Sequence, residues 1–204
     1  MKTLTVAEAR AIDRDAVERL GMPSILLMEN AAHGVAAAAR GLGDRWIVLA
    51  GGGNNGGDGL AAARLLGPGA RVFLLSEPDP LRASDAALQA RILRAAGVPI
   101  AVGTLPEDVP EGTVWIDALF GTGLARPLEG AAAAWVGRMN GARGRRLCVD
   151  IPSGLHGDTG EVLGCAVRGD VTVTFECAKL GMTRGAGPAH CGRIVVAPLG
   201  LPRA

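Results

Sequence analysis

Residues 50–59 read Ala50-Gly51-Gly52-Gly53-Asn54-Asn55-Gly56-Gly57-Asp58-Gly59, and the fold is decided here. The apolar run 46–49 before them predicts a buried strand, and the Ala/Leu-rich segment 60–66 after them predicts a helix. A strand, a glycine-rich turn and a helix gather backbone N–H groups at a positive helix end, where phosphates bind well. Asn54, Asn55 and Asp58 are polar side chains that we expect to lie in the turn and to face a ligand.

Strands and helices alternate along the rest of the chain. The apolar patterns predict strands at about 46–50, 71–75, 98–102, 113–116 and 146–149, and helices at about 57–66, 83–96 and 129–139. Residues 105–111 predict a loop, and the runs 171–175 and 193–196 predict further strands. Two helices precede the first strand, the first opened by a capping box at Thr5 and Glu8 and the second capped by Ser24. We therefore predict one α/β domain.

The composition excludes several classes of partner. The 204 residues are 49% hydrophobic and their formal net charge is +1. This balance does not indicate the excess of positive charge that binds nucleic acid or a membrane surface. No signal peptide and no apolar run of about 18 residues is apparent, so we expect a cytoplasmic protein without a membrane partner. The four cysteines form no CxxC motif, which argues against a zinc site.

Polar, glycine-rich turns follow three of the predicted strands. Parallel strands with right-handed crossovers place these turns at one edge of the sheet. The usual strand order 3-2-1-4-5 reverses between the first and fourth strands, which is where such sheets bind ligands. Asp117 ends the fourth strand and Asp150 the fifth, and Gly121 and Ser153 follow soon after. One such aspartate is as well explained by a turn or a helix cap, but two at one edge predict a binding site.

The side-chain oxygens of Asn55, Asp117 and Ser153 indicate a cation site at this edge. Oxygen ligands without nitrogen or sulfur suit a group I or II cation better than a transition metal. Magnesium hydrolases usually gather two or more carboxylates, so a monovalent ion fits at least as well. Asp150 is the better candidate for proton transfer, because a carboxylate in a partly desolvated crevice suits general acid–base catalysis. Asp58 is a second candidate for that role, or a carboxylate that stabilises its loop.

Other functions fit the sequence less well. The motif Gly51-x-Gly53-x-x-Gly56 matches the dinucleotide fingerprint, but the chain has no tyrosine for the Tyr/Lys pair of a dehydrogenase. Neither GxxxxGK[ST] nor GxSxG occurs, which argues against a P-loop NTPase and a serine hydrolase. A non-catalytic nucleotide-binding module and a scaffold protein stay open. A scaffold would tolerate bulky residues in the glycine loop, whereas a binding loop would lose its ligand on Gly57→Val.

Several motifs occur together in a specific order. They are Leu27-Met28-Glu29-Asn30-Ala31, Gly53-Asn54-Asn55-Gly56-Gly57-Asp58-Gly59, Asp117-Ala118-Leu119-Phe120-Gly121-Thr122-Gly123, Asp150-Ile151-Pro152-Ser153-Gly154-Leu155, Asp158-Thr159-Gly160, and Thr172-Val173-Thr174-Phe175 with Lys179 and Gly181. As a set they resemble the YjeF N-terminal domain family, the NAD(P)H-hydrate epimerases. The resemblance implies a Rossmann-like three-layer αβα sandwich with a mostly parallel sheet and two N-terminal helices. It also implies a homodimer and a single domain over residues 1–204, without the C-terminal dehydratase domain of many relatives.

The same resemblance implies an isomerase that interconverts the R and S forms of hydrated NADH and NADPH (NADHX and NADPHX) in cofactor repair. It implies a K⁺ ion, one per subunit, held by Asn55, Asp117 and Ser153. A separate dehydratase that uses ADP or ATP would then remove the water. The substrate residues implied are Asn54, Asn55, Gly56, Gly57, Asp58, Gly121, Thr122, Gly123, Leu124, Ala125, Arg126 and Pro127, with Asp150 beside them.

Overall fold

A seven-stranded sheet forms the centre of the computed structural model, which describes residues 2–202. The strands in this range are β1 (Thr3–Leu4), β2 (Trp46–Ala50), β3 (Ala70–Leu74), β4 (Ile100–Val102), β5 (Val114–Ala118), β6 (Arg146–Val149), β7 (Val171–Phe175), β8 (Ala178–Lys179) and β9 (Arg193–Ala197). The α-helices are α1 (Val6–Glu18), α2 (Ser24–Arg40), α3 (Asn54–Leu66), α4 (Ser84–Ala95), α5 (Gly130–Gly141) and α6 (Gly187–Cys191). Short 3₁₀ helices span Gly67–Gly69 and Leu180–Thr183.

The strand order of the large sheet is β4-β3-β2-β5-β6-β7-β9, and all neighbouring strands run parallel. The predicted order 3-2-1-4-5 is therefore confirmed for β2 to β6. The two later apolar runs extend the same sheet at one edge. Because the order reverses between β2 and β5, the carboxyl ends of these two strands flank the crevice in which such sheets bind ligands.

Helices cover both faces of the sheet. α2, α3 and α4 pack on one face, where their many alanines let them approach the buried strand side chains closely. α5 covers the other face, where Trp135 packs in the same cluster as Trp115 of β5. The predicted loop after β4 has no helix, and it adds Leu105 and Val109 to this second cluster. The predicted three-layer α/β sandwich is confirmed.

The first helix is capped from two directions. Thr5 Oγ1 accepts a hydrogen bond from Glu8 N at 3.1 Å, and Glu8 Oε2 accepts one from Thr5 N at 2.8 Å. This is the predicted capping box. Asp158 adds a cap from far along the chain, because its Oδ1 accepts a hydrogen bond from Val6 N at 2.7 Å. Just before α1, β1 pairs in parallel with β8, so the start of the chain is fixed against a late segment.

The second helix begins differently from the prediction. Ser24 is its first helical residue, Pro23 occupies the cap position, and no side chain caps the first turn. The predicted Ser24 cap is therefore wrong, because a capping side chain must stand one position before the helix. Within residues 2–202, neither this 17-residue helix nor any other is long and apolar enough to cross a lipid bilayer.

The third helix starts three residues before its predicted boundary. It begins at Asn54 rather than near residue 57, so Asn54, Asn55 and Asp58 lie in the helix and not in a turn. Glycines have low helix propensity, which is why the pattern alone predicts a later start. Gly53 occupies the cap position, and no side chain among residues 2–202 accepts a hydrogen bond from the first-turn N–H groups.

Candidate functional site

A cleft of about 950 Å³ opens at the carboxyl ends of the central strands. Its walls come from α1, the start of α3, the segment after β5, the residue after β6 and the region around β8. The predicted site residues on these walls are Asn54, Asn55, Asp58, Gly121, Thr122, Gly123, Leu124, Ala125, Arg126 and Asp150. Segments that are distant in the sequence thus meet at one site, as the predicted strand order requires.

Three predicted substrate residues, Gly56, Gly57 and Pro127, lie away from the walls of this cleft. A Cβ on Gly56 would lie 1.8 Å from the carbonyl oxygen of Gly51, so Gly56 is needed for a close backbone contact. Gly57 faces the neighbouring helices, where a Cβ would lie 2.5 Å from Met28 Cε. The early start of α3 explains the placement of the two glycines. Residues 54, 55 and 58 share one face of the helix, whereas residues 56 and 57 face the interior.

Asn55 has a buried amide without a protein partner. Within the described residues, neither its Oδ1 nor its Nδ2 makes a hydrogen bond. A Cβ on Gly121 would lie 3.2 Å from Asn55 Oδ1 and 3.0 Å from Asp150 Oδ2, so both oxygens border the space at Gly121. An unpaired buried amide costs about 1–3 kcal/mol, and it therefore indicates a position that a ligand or an ion satisfies.

Asp117 and Ser153 form a buried pair beneath the cleft, and both side chains are fully buried. Asp117 Oδ1 accepts a hydrogen bond from Ser153 Oγ at 2.6 Å, and Asp117 Oδ2 accepts one from Ser153 N at 2.8 Å. Phe120 N donates to Ser153 Oγ at 2.9 Å. These bonds tie the ends of β5 and β6 together next to Gly121.

The three predicted metal ligands fit a monovalent cation. Burial raises the pKa of Asp117 to about 6, although hydrogen bonds from Ser153 and Leu119 lower it. Its bonds within the described residues come from neutral groups, so no protein cation balances its charge. Asn55 supplies an unused oxygen, and Ser153 supplies a hydroxyl. This set of hard oxygens with a single carboxylate matches a weakly charged ion.

Asp150 is held in an unusual backbone conformation at the edge of the cleft. Its φ is +66°, a region that residues other than glycine seldom adopt. The N–H of Asp150 donates a hydrogen bond to Val173 O at 2.7 Å, and this bond helps to hold the strained conformation. Its Oδ1 lies 2.5 Å from Lys179 Nζ, and its Oδ2 accepts a weak hydrogen bond from Thr122 N at 3.4 Å. Backbone strain of this kind is frequent at functional sites.

A family model described as the YjeF-related protein N-terminus matches residues 24–181, which include α2 and all strands from β2 to β8. The chain belongs to this family. A Limosilactobacillus fermentum member, named NAD(P)H-hydrate epimerase, is 40% identical over 96% of this chain and 96% of its own length. A bifunctional NAD(P)H-hydrate repair enzyme Nnr of Thermofilum pendens is 44% identical over the whole chain, which spans 41% of that protein.

A solved structure also resembles this member of the YjeF N-terminal family. The crystal structure of yeast Ynu0 (YNL200c) matches with a TM-score of 0.79 and 26% sequence identity. The match covers 90% of this chain and 84% of the yeast chain. The shared fold therefore includes most of the described elements.

The structure adds site residues that the sequence patterns did not indicate. Lys179 is only 4% exposed, and its Nζ donates to Thr174 Oγ1 at 2.8 Å as well as pairing with Asp150. On α1, Arg10 Nη2 donates to Thr122 O at 3.1 Å, and Asp13 lines the cleft. Arg10 and Asp13 lie on the polar side of an amphipathic helix, where the pattern predicts side chains that are exposed to solvent. For Lys179, the useful signal is a charged residue within an otherwise uncharged segment, Ala178 to Gly181.

Proposed function

We propose that this chain is an isomerase that interconverts the R and S forms of NADHX and NADPHX. One observation carries the proposal: a cleft of dinucleotide size in a chain that matches a protein named NAD(P)H-hydrate epimerase over almost its full length. A volume of about 950 Å³ lies at the upper end of the range for small-molecule sites, roughly 300–1,000 Å³. Both substrates are therefore within its capacity.

The start of α3 is suited to the phosphates of the substrate. In the part of the chain that the structure describes, its first-turn N–H groups have no side-chain acceptor, and Gly53 and Asn54 line the cleft. Such N–H groups, together with the positive end of the helix, bind phosphate oxygens. Arg126 lines the same cleft, and its guanidinium is a further candidate partner for a phosphate. This arrangement fixes the dinucleotide while the hydrated ring reaches Asp150.

The chemistry required is proton transfer at a hemiaminal. The hydrated ring carries a hydroxyl on a carbon next to nitrogen, and this centre inverts either through an iminium or through ring opening and closure. Either route needs a group that gives and takes protons at oxygen, and a placed acid or base contributes about 10²–10⁴-fold. Asp150 Oδ2 faces the cleft while Oδ1 is fixed by Lys179, which suits it to this role.

A K⁺ ion, one per subunit, is the proposed cofactor. Asn55, Asp117 and Ser153 would hold it with their oxygens. When bound, the ion supplies positive charge that fixes the loops after β5 and β6 and balances Asp117. Support comes from the unpaired amide of Asn55 and the unbalanced buried carboxylate of Asp117.

The test is direct conversion of one epimer into the other. Purified protein is incubated with the R form of NADPHX in potassium buffer, and the S form is followed by chromatography against a protein-free control. We expect faster conversion than in the control, and a loss of about 10²–10⁴-fold in kcat for Asp150→Asn with binding retained. An Asp150→Asn variant as fast as the wild type would remove Asp150 from the mechanism.

The alternative is a non-catalytic nucleotide-binding module of the same fold. It predicts binding of NADPHX without conversion, which the same experiment detects. Against this alternative, Asp150 and most of the candidate substrate residues line one cleft, and the Asp117–Ser153 pair lies beneath it.

The wider setting of the activity is also proposed. We infer a small-molecule substrate, a homodimer in the cytoplasm and a pathway partner that dehydrates the S form. The dehydratase is supported by relatives named bifunctional repair enzymes. Sedimentation velocity tests the dimer, with a mass of about twice 20.7 kDa expected.

A further inference from the structure

We propose that Asp58 is a second catalytic carboxyl, which gives a proton to the departing hydroxyl while Asp150 takes a proton from the arriving water. The inference rests on the proposed epimerase function and deepens it. From the sequence alone, a carboxylate that stabilises its loop is the simpler interpretation of Asp58. The position of Asp58 and the charges around it now distinguish the two.

Asp58 lies on the cleft face of α3. It stands four residues after Asn54 and three after Asn55, so the three side chains share one side of the helix. It also borders a smaller cavity of about 330 Å³ that adjoins the cleft beside α1 and α2. Within the described residues its carboxyl forms neither a hydrogen bond nor an ion pair, so nothing local uses it as a structural carboxylate.

Asp58 and Asp150 approach the cleft from different elements. Asp58 follows β2, Asp150 follows β6, and β5 lies between these strands. Asp58 reaches the cleft from α3 and Asp150 from the residue after β6, so the two carboxyls belong to different walls of the cleft. An inversion needs one face of the ring carbon to lose oxygen and the other to gain it, and carboxyls on different walls can serve both faces.

The charges around the two carboxyls differ. Asp150 is paired with Lys179, whose ammonium is itself held by Thr174 at 2.8 Å. Within residues 2–202 Asp58 has no such partner, and desolvation in the wall of the cleft raises its pKa well above the usual value, with the charges of Asp150 and Asp13 adding to the effect and Lys179 opposing it. The adjoining cavity is also lined by charged residues of both signs, Arg14, Glu18 and Asp85. A carboxyl that favours its protonated form is suited to give a proton, whereas the carboxylate beside the Lys179 ammonium is suited to take one.

In the proposed step Asp58 is the acid and Asp150 is the base. Protonated Asp58 transfers its proton to the ring hydroxyl, the C–O bond breaks with its electron pair on oxygen, and water leaves. The nitrogen lone pair forms the C=N bond of an iminium. A second water then adds to the opposite face, the C=N electrons return to nitrogen, and the proton of that water goes to Asp150.

The cycle closes without any other reactant. After one inversion Asp58 is a carboxylate and Asp150 is protonated, which is the state from which the reverse inversion starts. Exchange with water in the open cleft returns the proton to Asp58. Lys179 acts here as a positioning residue, because its Nζ lies 2.5 Å from Asp150 Oδ1 and so holds the carboxyl with Oδ2 toward the cleft.

The pH dependence of the wild type and of variants tests whether Asp58 is the acid and Asp150 the base. A required acid makes the rate fall as pH rises through its pKa, and a required base makes the rate fall as pH falls. We expect a bell-shaped wild-type profile, and for Asp58→Asn a kcat lower by about 10²–10⁴-fold with the alkaline limb missing. A variant that keeps the wild-type rate and both limbs would overturn the proposal, as would a change confined to KM.

Asp13→Asn is the matched control, because it removes a neighbouring negative charge from the same cleft. It should keep both limbs and move the alkaline limb to lower pH, since the charge of Asp13 raises the pKa of Asp58. Loss of the alkaline limb in Asp13→Asn would assign the acid to Asp13 and overturn the role of Asp58. If the wild type shows no conversion at all, the proposed function itself fails, which is a distinguishable result.

A measurement on the wild type covers the case in which Asp58→Asn does not fold. The carboxyl carbon of Asp58 is followed by ¹³C NMR across pH in carbon-labelled protein, with assignment from a conservative Asp58→Glu variant. We expect the Asp58 signal to titrate well above the ordinary aspartate range near 4. A titration at or below about 4 would overturn the proposal, because Asp58 would then be ionised at neutral pH.

Discussion

The ion pair between Lys179 and Asp150 is the most consequential single contact in the cleft. The two side chains are 5% and 14% exposed, so removal of one partner leaves a nearly buried charge. For Lys179→Met we expect the free energy of unfolding to fall by about 3–5 kcal/mol. Urea denaturation measures this. The double variant Asp150→Asn/Lys179→Met should lose clearly less than the sum of the single variants, and strict additivity would contradict the pair.

Asn55 provides the corresponding test of the cation site. The wild type should unfold at a higher temperature in KCl than in choline chloride of equal ionic strength. An ion that binds only the folded state stabilises that state, by about 2.7 kcal/mol when the ion concentration is 100 times its Kd. Asn55→Ala should lose most of this difference, since its unpaired oxygen is removed. The neighbouring exposed residue serves as the control, and Asn54→Ala should keep the difference. Equal K⁺ responses in all three proteins would argue against the site.

Individual site residues could be predicted when they follow a recognisable strand. Asp117 and Asp150 end strands that are visible as apolar runs, so their convergence follows from the strand order alone. The contact between Asp150 and Lys179 does not follow from any such pattern. It depends on a positive φ at Asp150 and on the short strand β8, which are both consequences of tertiary packing.

At the scale of elements, α1 acts as a wall of the cleft that is fixed at a few points. Asp158 caps Val6 N, and Arg10 bonds to Thr122 O. For Asp158→Ala we expect a loss of about 0.5–2 kcal/mol in the local stability of α1, the usual cost of a lost cap. Hydrogen exchange of α1 amides should then be roughly 2- to 30-fold faster, and KM should rise because the wall is less ordered. Unchanged exchange in α1 would contradict the role of this cap.

The glycines of α3 have separate roles, which two substitutions distinguish. Gly57→Val should destabilise the fold by about 1–3 kcal/mol, because the new side chain would meet Met28 and the backbone of Ala86. Gly53→Ala is the control, since a Cβ there meets nothing within 4 Å. Thermal unfolding compares them. Any loss of ligand binding in Gly57→Val would thus come from packing and not from a lost contact in a binding loop.

The boundary of α3 shows why an element can be correctly predicted and incorrectly placed. The alanines and leucines of the sequence indicate the helix. Its first turns are not recognisable from the pattern, because the glycines at positions 56, 57 and 59 have low helix propensity. Those glycines are needed because Gly51, Met28 and Ala118 approach the helix too closely for any side chain. Tertiary packing therefore overrides local propensity at the place where the site is built.

At the scale of the whole molecule, the strand order and the edge that carries the site could be predicted, because chirality and crossover rules leave few arrangements. The shape of the cleft could not. α1 closes one side of it through contacts with the segment after β5 and with Asp158. These contacts join parts of the chain that are far apart in sequence and leave no local periodicity.

The stability of the whole molecule should also depend on pH through Asp58. Its pKa is raised in the folded state by burial and by neighbouring carboxylates, whereas in the unfolded chain it lies near 3.9. Between these two values the folded state holds a proton that the unfolded state has released, so the contribution of Asp58 to stability falls as pH rises. Asp58→Asn has no carboxyl at this position and so does not lose this contribution. The free energy of unfolding of the variant minus that of the wild type should therefore be larger at pH 8 than at pH 4.5. Chemical denaturation at both pH values measures the difference. A difference that stays constant would mean that Asp58 ionises alike in both states, and the carboxyl would then be an ordinary surface aspartate.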